Sequence, residues 1–309
     1  MYLKHFGFNE FPFSLTPNLR FFCGLEAYKE ALDVITVSLQ NGEGFIKITG
    51  EVGTGKTLLC RKLLNSLGNE YVTVYIFNAT LDIFNLQKAI AHELEMPVPK
   101  NIDHHDLITL ITEKLISLHK QGKKTVIIVD EAHTLTDQTL EGLRLLSNLE
   151  MESSKLVQIV LVGQPELNKK LKKTHLRQLE QRIMFSYHLP TLRNKEELLS
   201  YICHRLAAAG YPAPYSTIIS PKTIKLLFKT SRGIPRLVNI LCHKAFLLTY
   251  GYNKKIVGIN AIKMAIADTE NVATPAMTTT YYYILKVVLI SLLITITIGA
   301  GSKLLSLVL

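Results

Sequence analysis

The sequence predicts an α/β fold of the P-loop NTPase type, with a parallel sheet that has helices on both faces, then an α-helical domain and a C-terminal transmembrane helix. Three observations predict this fold. Short apolar runs alternate with segments of helical periodicity up to residue 190, as in parallel sheets. A glycine-rich loop joins the first run to the next helix. Beyond residue 190 the periodicity is helical, and residues 284–309 are mostly apolar.

The predicted strands are short runs of β-branched and aliphatic residues, and the predicted helices repeat their apolar residues at helical spacing. Strands are expected at residues 44–49, 71–77, 124–129, 156–162 and 183–189. Helices are expected at residues 25–40, 57–64, 86–94, 106–120, 138–150, 195–209, 221–229, 235–250 and 260–270.

Changes in composition divide the chain into five parts. Residues 1–24 are rich in Phe and Pro and are expected to form an irregular lead-in segment. Residues 25–190 form the predicted P-loop core and residues 191–270 the predicted helical lid domain. Residues 271–283 begin with small and polar residues and are expected to form a linker before the transmembrane helix at 284–309.

Charge and cysteine content narrow the class of protein. The formal net charge of +10 favours an acidic partner, which is a nucleotide, a nucleic acid or the anionic face of a membrane. It could also simply reflect a cytoplasmic position beside a membrane. The four cysteines lie far apart without a C-x-x-C pair, which argues against structural zinc and a disulfide framework. No signal peptide is visible at the N-terminus.

Residues 50–57 match the phosphate-binding P-loop pattern, in which two glycines four residues apart precede Lys and Thr. Glycines let backbone N–H groups point inward at phosphate oxygens, Lys56 would reach the β- and γ-phosphates, and Thr57 would contact Mg²⁺. A predicted strand before the loop and a helix after it favour this function over an ordinary glycine turn. The residues expected to bind nucleotide here are Gly50, Glu51, Val52, Gly53, Thr54, Gly55, Lys56, Thr57 and Leu58.

Asp130 and Glu131 follow directly after the apolar strand at 124–129. In a nucleotide hydrolase, an acid at the first position holds Mg²⁺ through water, and an acid at the second orients and deprotonates the attacking water. Thr57 and Asp130 are therefore the predicted metal-site residues. Adjacent acids are otherwise common on surfaces. The next residues, Ala132 and His133, complete a helicase-like Asp-Glu-Ala-His sequence, but such helicases need two motor domains and this chain has room for one.

Three further candidates complete the predicted site. Gln164 follows the strand at 156–162 and is a candidate sensor of water or phosphate. Arg182, or less favourably Arg177, could enter a neighbouring subunit's site as an arginine finger. Both could instead belong to a basic helix face beside the lysines of residues 169–173. Arg236 follows Pro235 in the first turn of a predicted helix and could point back at phosphates.

Two other patterns have alternative interpretations. The uncharged residues 287–302 would span about 24 Å as a helix, and Lys286, Lys303 and three tyrosines at 281–283 suit membrane interfaces. The excess of Lys and Arg before this stretch predicts that the larger N-terminal part is cytoplasmic. A buried or amphipathic C-terminal helix is the alternative. The sequence Asp-His-His-Asp at 103–106 could bind a metal, although a helix N-cap at Asp103 is favoured.

These motifs, in this order, resemble an AAA+ ATPase. More narrowly, residues 1–270 are similar to the ExeA/GspA family of secretion ATPases, in the branch associated with MSHA-type pilus biogenesis. The similarity rests on residues 1–7, 12–18, 42–58, 163–167 and 233–245.

The resemblance implies Walker A at 50–57, Walker B at Asp130 and Glu131, sensor 1 near Gln164, an arginine finger at Arg182 and sensor 2 at Arg236. It also implies ATP and Mg²⁺ as ligands, ring-type homo-oligomers of unknown size, attachment to the inner membrane, and pilus or secretion assembly proteins as partners. Longer members carry a periplasmic peptidoglycan-binding domain, which is not found in these 309 residues, so a direct role in opening the cell wall is not expected.

Three functions remain open at this point. The first is a membrane-anchored ATPase that supports assembly of a type IV-like pilus or secretion apparatus. The second is a DNA-associated AAA+ ATPase similar to transposition helper proteins, in which the lysines of residues 169–173 meet phosphates. The third is a nucleotide-gated scaffold that barely hydrolyses ATP. The predicted membrane span favours the first.

Overall fold

The computed structural model describes residues 2–77, 81–151, 154–212, 214 and 217–269. Five parallel strands form its central sheet in the order β2-β3-β4-β1-β5. Each predicted strand is confirmed to within one residue at either end. The strands are β1 (Phe45–Gly50), β2 (Tyr71–Ile76), β3 (Lys124–Val129), β4 (Val157–Gly163) and β5 (Ile183–Leu189).

Helices cover both faces of this sheet and make up the domain that follows it. The α/β core contains α2 (Glu26–Gln40), α3 (Lys56–Ser66), α4 (Ile83–Glu93), α5 (His104–Lys120), α6 (Asp137–Leu146), α7 (Glu166–Leu171) and α8 (Arg177–Arg182). The lid contains α9 (Lys195–Ala208), α10 (Pro221–Ser231), α11 (Pro235–Gly251) and α12 (Ile259–Ala267). A short helix, α1 (Tyr2–Phe6), precedes them all.

Alternating side chains on the strands supply two separate cores, one on each face of the sheet. On β3, Ile127 and Val129 pack with α4 to α8, whereas Val126 and Ile128 pack with α2 and α3. Because β3 is buried on both faces, residues 125–129 form a nearly continuous apolar run in the sequence. This arrangement explains why the run of apolar residues identified β3 as a strand.

The prediction of a helix at residues 138–150 is wrong at its C-terminal end, because α6 ends at Leu146. The Ser147 hydroxyl donates a 2.7 Å hydrogen bond to the Arg144 carbonyl and satisfies a helix-terminal acceptor, which is how Ser competes with helical backbone pairing. Residues 150–151 instead pair antiparallel with residues 154–155. Helices α7 and α8 were not predicted, since six residues are too few to establish a helical period.

The N-terminal segment, residues 2–23, is more ordered than the predicted irregular lead-in. It begins with α1, contains a 3-10 turn at Leu19–Phe21, and buries aromatic side chains in the same core as the lid helices. The Tyr2 ring stacks on Phe246 of α11 at a centroid distance of 6.2 Å. Aromatic side chains contribute large buried areas, so the Phe-rich composition reflects a packed segment.

The described residues contain no helix that is both long and apolar enough to cross a membrane. The transmembrane helix predicted at 284–309 and the linker predicted at 271–283 lie outside the described residues.

Candidate nucleotide-binding site

The loop at residues 50–57 connects the end of β1 to the start of α3, as the motif predicts. Gly53 and Gly55 have φ angles of +81° and +93°, which place both in the left-handed region that favours glycine. Gly55 is the N-cap of α3, so the N–H groups of the helix's first turn lie beside the loop. The N-terminus of a helix next to such a loop favours an anion.

Lys56 is held inside the loop that precedes it. Its ammonium group donates hydrogen bonds of 2.8 Å to the carbonyl of Gly50 and 2.9 Å to that of Glu51, and the residue is 5% exposed. Burial lowers the pKa of Lys56, while the nearby carboxylates of Glu131 and Asp130 oppose that change. A buried ammonium held by neutral carbonyls is poised to interact with an entering phosphate.

Thr57 and Asp130 join the two halves of the predicted site. The Thr57 hydroxyl donates a 2.7 Å hydrogen bond to Oδ2 of Asp130, and the Tyr75 hydroxyl donates to the same oxygen at 3.2 Å. The N–H of Glu131 donates to Oδ1 at 2.9 Å. Asp130 is 2% exposed, and this burial raises the pKa of its carboxyl group. The hydroxyl and carboxylate oxygens are a donor set that suits Mg²⁺.

Glu131, Gln164 and His133 form a second group at the same edge of the sheet. Nε2 of Gln164 donates to Oε2 of Glu131 at 3.3 Å, and Nδ1 of His133 lies 3.5 Å from that oxygen. The N–H of Gln164 also points at Nδ1 of His133, at 3.4 Å. Strand β4 lies between β1 and β3, which places Gln164 between the P-loop and the acidic pair. The histidine of the helicase-like Asp-Glu-Ala-His sequence therefore has a structural role within this site, because it contacts Glu131 and Gln164.

A cavity of about 380 Å³ opens above the P-loop, which is a size typical of small-ligand sites. Residues from the P-loop, the lid and the N-terminal segment line it together. The P-loop side comprises Val52, Gly53, Gly55, Lys56, Thr57, Leu58, Glu131 and Gln164. The opposite side comprises residues 14–18 and 21–23 with Tyr28, Tyr201, Arg205, Pro235, Arg236 and Asn239.

Arg205 of α9 forms hydrogen bonds that hold the N-terminal segment over this cavity. Its guanidinium donates to the carbonyl of Pro12 and, at 3.0 Å, to that of Ser14, and its carbon Cζ lies 4.7 Å from the centre of the Phe21 ring. Arg205 is 5% exposed, so these contacts replace water around the buried cation. The same guanidinium donates to the Tyr201 hydroxyl at 3.2 Å. The lid and the segment are thereby joined.

Arg236 lies at the start of α11, where Pro235 occupies the first turn as predicted. Its backbone N–H donates to the carbonyl of Gly53 at 3.1 Å, and Arg236 is among the residues that line the cavity. The lid therefore contacts the P-loop directly at the position expected for a phosphate-sensing arginine.

Four residues whose side chains make contacts at this site were not predicted from the sequence. Tyr28 of α2 donates a hydrogen bond to the carbonyl of Thr54, Tyr75 of β2 bonds Asp130, Arg205 holds the N-terminal segment, and His133 contacts Glu131. The sequence patterns of α2, β2 and α9 predict a helix or a strand but do not indicate a site. Tyr28, Tyr75 and Arg205 lie in these elements. His133 alone stands beside a recognised motif, and that proximity could have singled it out.

Arg177 begins α8 and Arg182 ends it, and Arg182 lies away from the chain's own P-loop. Arg182 immediately precedes β5, whose first residue pairs with Phe45 at the start of β1. The P-loop follows the other end of β1, a strand of about 20 Å. Arg182 is half-buried and donates to the Ser147 hydroxyl at 3.1 Å.

Asp103 is a helix N-cap, as the favoured alternative predicts. Its carboxylate accepts a 2.8 Å hydrogen bond from the N–H of Asp106, and His104 and His105 are exposed. Within the ranges that the structure describes, no group of three or more metal-ligating side chains is found.

Residues 39–171 match a protein family described as "AAA domain". The chain is also similar to the general secretion pathway protein A of Aeromonas hydrophila, with 39% identity over 272 residues. That alignment covers 88% of this chain and 49% of the relative, so the chain spans about half the relative's length.

Solved structures of other proteins share the fold. Cdc6p from Pyrobaculum aerophilum superimposes with a TM-score of 0.64 and 18% identity, covering 83% of this chain and 70% of that one. The ORC2 protein of Aeropyrum pernix, solved as ADPNP–ADP complexes, gives a TM-score of 0.60 and 16% identity, covering 82% and 72%. Residues 39–171 are therefore similar to an AAA domain, in a chain that is similar to general secretion pathway protein A.

Proposed function

We propose that the chain binds ATP in the cavity above the P-loop and hydrolyses it to ADP and phosphate. The observation that carries the proposal is the 2.7 Å hydrogen bond between Thr57 and Asp130, because it brings the P-loop and the acidic pair into one site. Glu131, the next residue, would accept a proton from water as the water attacks the γ-phosphorus. Lys56 would stabilise the negative charge on the transferred group.

Mg²⁺ fits the same site through the Thr57 hydroxyl and the Asp130 carboxylate, and it would supply positive charge beside the phosphate oxygens. Glu131 is held for proton transfer by the Gln164 amide, which donates to its carboxylate at 3.3 Å. Residues of the N-terminal segment close the opposite side of the cavity and would exclude water from the phosphates.

Steady-state hydrolysis with a Glu131→Gln variant tests this assignment. The substitution removes the proton acceptor while keeping size and polarity, so we expect the rate to fall about 10²- to 10⁴-fold with ATP still bound. Glu113→Gln makes the same chemical change on the exposed surface of α5 and is expected to leave the rate unaltered. Equal rates in wild type and Glu131→Gln would favour a nucleotide-gated scaffold.

We further propose that the ATPase acts at the inner membrane, where it supports assembly of a type IV-like pilus or secretion apparatus. The likeness to general secretion pathway protein A supports a role in secretion. The resemblance of the sequence to the MSHA branch, which includes MshM, supports a role in pilus assembly. The apolar residues 284–309 support a single C-terminal span with the ATPase domain in the cytoplasm.

Membrane fractionation tests the localisation. The full-length chain is expected with the inner membrane, and a chain that lacks residues 284–309 is expected in the soluble fraction. A full-length chain found entirely in the soluble fraction would exclude the anchor and leave the ATPase assignment untouched.

A DNA-associated role is the alternative, and two of the lysines on which it depends are already engaged. Lys170 donates to the carbonyls of His133 and Leu135, and Lys173 pairs with Asp137 at 2.7 Å. These contacts hold α7 against the loop after Glu131. They leave fewer lysine ammonium groups available to bind DNA phosphates. Hydrolysis that duplex DNA stimulates strongly would nevertheless favour this alternative.

A further inference from the structure

The lid accounts for most of the chain's net positive charge. Residues 191–270 contain twelve Lys or Arg and four acidic residues, which accounts for +8 of the formal net charge of +10. Residues 235–267, which include α11 and α12, contain five basic residues and no acid. A surface with such an excess of one sign attracts an anionic partner.

The same pair of helices exposes apolar side chains. The described part of the chain has fifteen exposed large hydrophobic residues, and six of them fall within residues 247–264. The six are Leu247, Tyr250, Tyr252, Ile256, Ile259 and Met264. Exposed apolar side chains that form a patch are typical of interaction surfaces. We refer to these six residues, with Lys254 and Lys263, as the α11–α12 face.

The loop at the centre of this face is held in place. Nε2 of His5 lies 2.9 Å from the carbonyl of Lys254, and the Lys255 ammonium donates to the carbonyl of His5 at 2.7 Å. The N–H of Val257 donates to the Ile218 carbonyl at 2.8 Å. The exposed side chains of Tyr252 and Ile256 therefore project from a fixed backbone.

We propose that the α11–α12 face rests on the surface of an anionic bilayer, an inference that rests on the membrane attachment proposed above. Tyrosine rings and the ends of aliphatic side chains are favourably placed in the lipid headgroup region. Lysine ammonium groups contact lipid phosphates. Helix α12 ends at Ala267 and the predicted span begins at residue 284. The residues between them reach at most about 55 Å when fully extended, which keeps the face near the bilayer.

The exposed aliphatic residues favour lipid over nucleic acid as the partner. A DNA or RNA surface meets a protein with phosphates, so lysines alone would suffice for binding. Leu247, Ile256, Ile259 and Met264 would gain little against a phosphate backbone, whereas their burial among lipid chains is favourable.

Hydrogen exchange of the reconstituted full-length chain tests the proposal. Peptides covering residues 247–264 are expected to exchange more slowly on vesicles of equimolar phosphatidylcholine and phosphatidylglycerol than on phosphatidylcholine alone. A Lys254→Glu, Lys263→Glu double variant is expected to lose this difference. A lysine near an anionic surface contributes about fivefold to association, so the two reversals remove at least about 25-fold.

A second double variant controls for charge alone. Lys222→Glu with Lys225→Glu changes two exposed lysines of α10, whose described residues include no exposed large hydrophobic side chain, and should retain the protection. A Tyr252→Ser, Ile256→Ser variant keeps every charge and should weaken the protection. Loss of protection in the α10 variant as large as in the Lys254 and Lys263 variant would overturn the proposal.

Flotation of the same samples separates this inference from the anchor. A chain that floats with both vesicle types but exchanges equally on both keeps its anchor and has no lipid contact at the α11–α12 face. A chain that floats with neither contradicts the anchor and the face together. Protection of residues 247–264 by duplex DNA, without phosphatidylglycerol protection, would assign the face to nucleic acid instead.

Discussion

The backbone N–H of Arg236 donates a 3.1 Å hydrogen bond to the carbonyl oxygen of Gly53, so the lid contacts the P-loop through main-chain atoms. The approach is close, because a Cβ atom at Gly53 would lie 2.6 Å from the Cβ of Arg236. Pro235 begins α11 and fixes the turn that presents this N–H group. A displacement of the loop at Gly53 would therefore be transmitted directly to the lid.

A Gly53→Ala variant should lose nucleotide affinity by about tenfold or more, equivalent to about 1.4 kcal/mol. The added methyl group meets Arg236 and strains a φ angle of +81°, which displaces the N–H groups of the loop. Titration with a fluorescent ATP analogue measures this loss. Gly122→Ala is the matched control, since Gly122 has a φ of +73° and open space around it. Equal affinities in the two variants would contradict the role of the lid contact.

An Arg205→Met variant should lower the free energy of unfolding by about 3 kcal/mol, because it leaves buried carbonyls without a donor. Nucleotide binding should weaken as well, since Arg205 holds the N-terminal segment that lines the cavity. Urea denaturation and nucleotide titration measure the two effects. Arg20→Met removes an exposed arginine that pairs with Glu10 at 2.7 Å, and it should cost less than about 1 kcal/mol. An Arg205→Met protein with unchanged stability and unchanged nucleotide affinity would show that Arg205 does not hold the N-terminal segment over the cavity.

The stability contributed by Asp130 should decline as pH rises. Burial raises its pKa above the ordinary value of 3.8, so the folded protein binds this proton more tightly than the unfolded chain does. The difference in free energy of unfolding between wild type and Asp130→Asn, measured without nucleotide or Mg²⁺, should therefore fall as pH increases above about 4.

Asp137 offers a comparison of opposite sign. The hydrogen bond from Lys173 lowers the pKa of Asp137, so its contribution is lost as pH falls below the ordinary carboxyl value. The difference between wild type and Asp137→Asn should thus grow with rising pH, although exposure to solvent keeps it small. Differences that change in the same direction for both residues would contradict this account of the Asp130 site.

Arg182 should complete the site of a neighbouring subunit, because it lies beside the far end of its own β1. Arg182→Ala and Lys56→Ala should each be inactive alone. Mixing them should restore part of the hydrolysis, since one supplies the intact P-loop and the other the arginine. Arg177→Ala serves as the comparison and should retain activity. Mixtures that stay inactive would exclude Arg182 as the shared arginine.

The parts of the site that the sequence predicted are those encoded in continuous stretches. The P-loop, the acidic pair after β3 and the Pro235–Arg236 helix start each depend on a few adjacent residues whose backbone preferences are local. The parts it missed are contacts between distant positions. Tyr75 and Asp130 are 55 positions apart, and Arg205 and Pro12 are 193 positions apart. No local pattern reports such a pairing.

The sequence by itself determined the chemistry of this protein, which is a phosphate-binding loop, a pair of acids and an excess of positive charge in the lid. Tertiary structure decided how that chemistry is enclosed. The strand order places Gln164 beside Glu131 and separates Arg182 from the chain's own P-loop. Packing of aromatic residues against the lid brings the N-terminal segment over the cavity. The physical reason is that motifs act through local backbone geometry, whereas enclosure depends on apolar area buried between segments far apart in the chain.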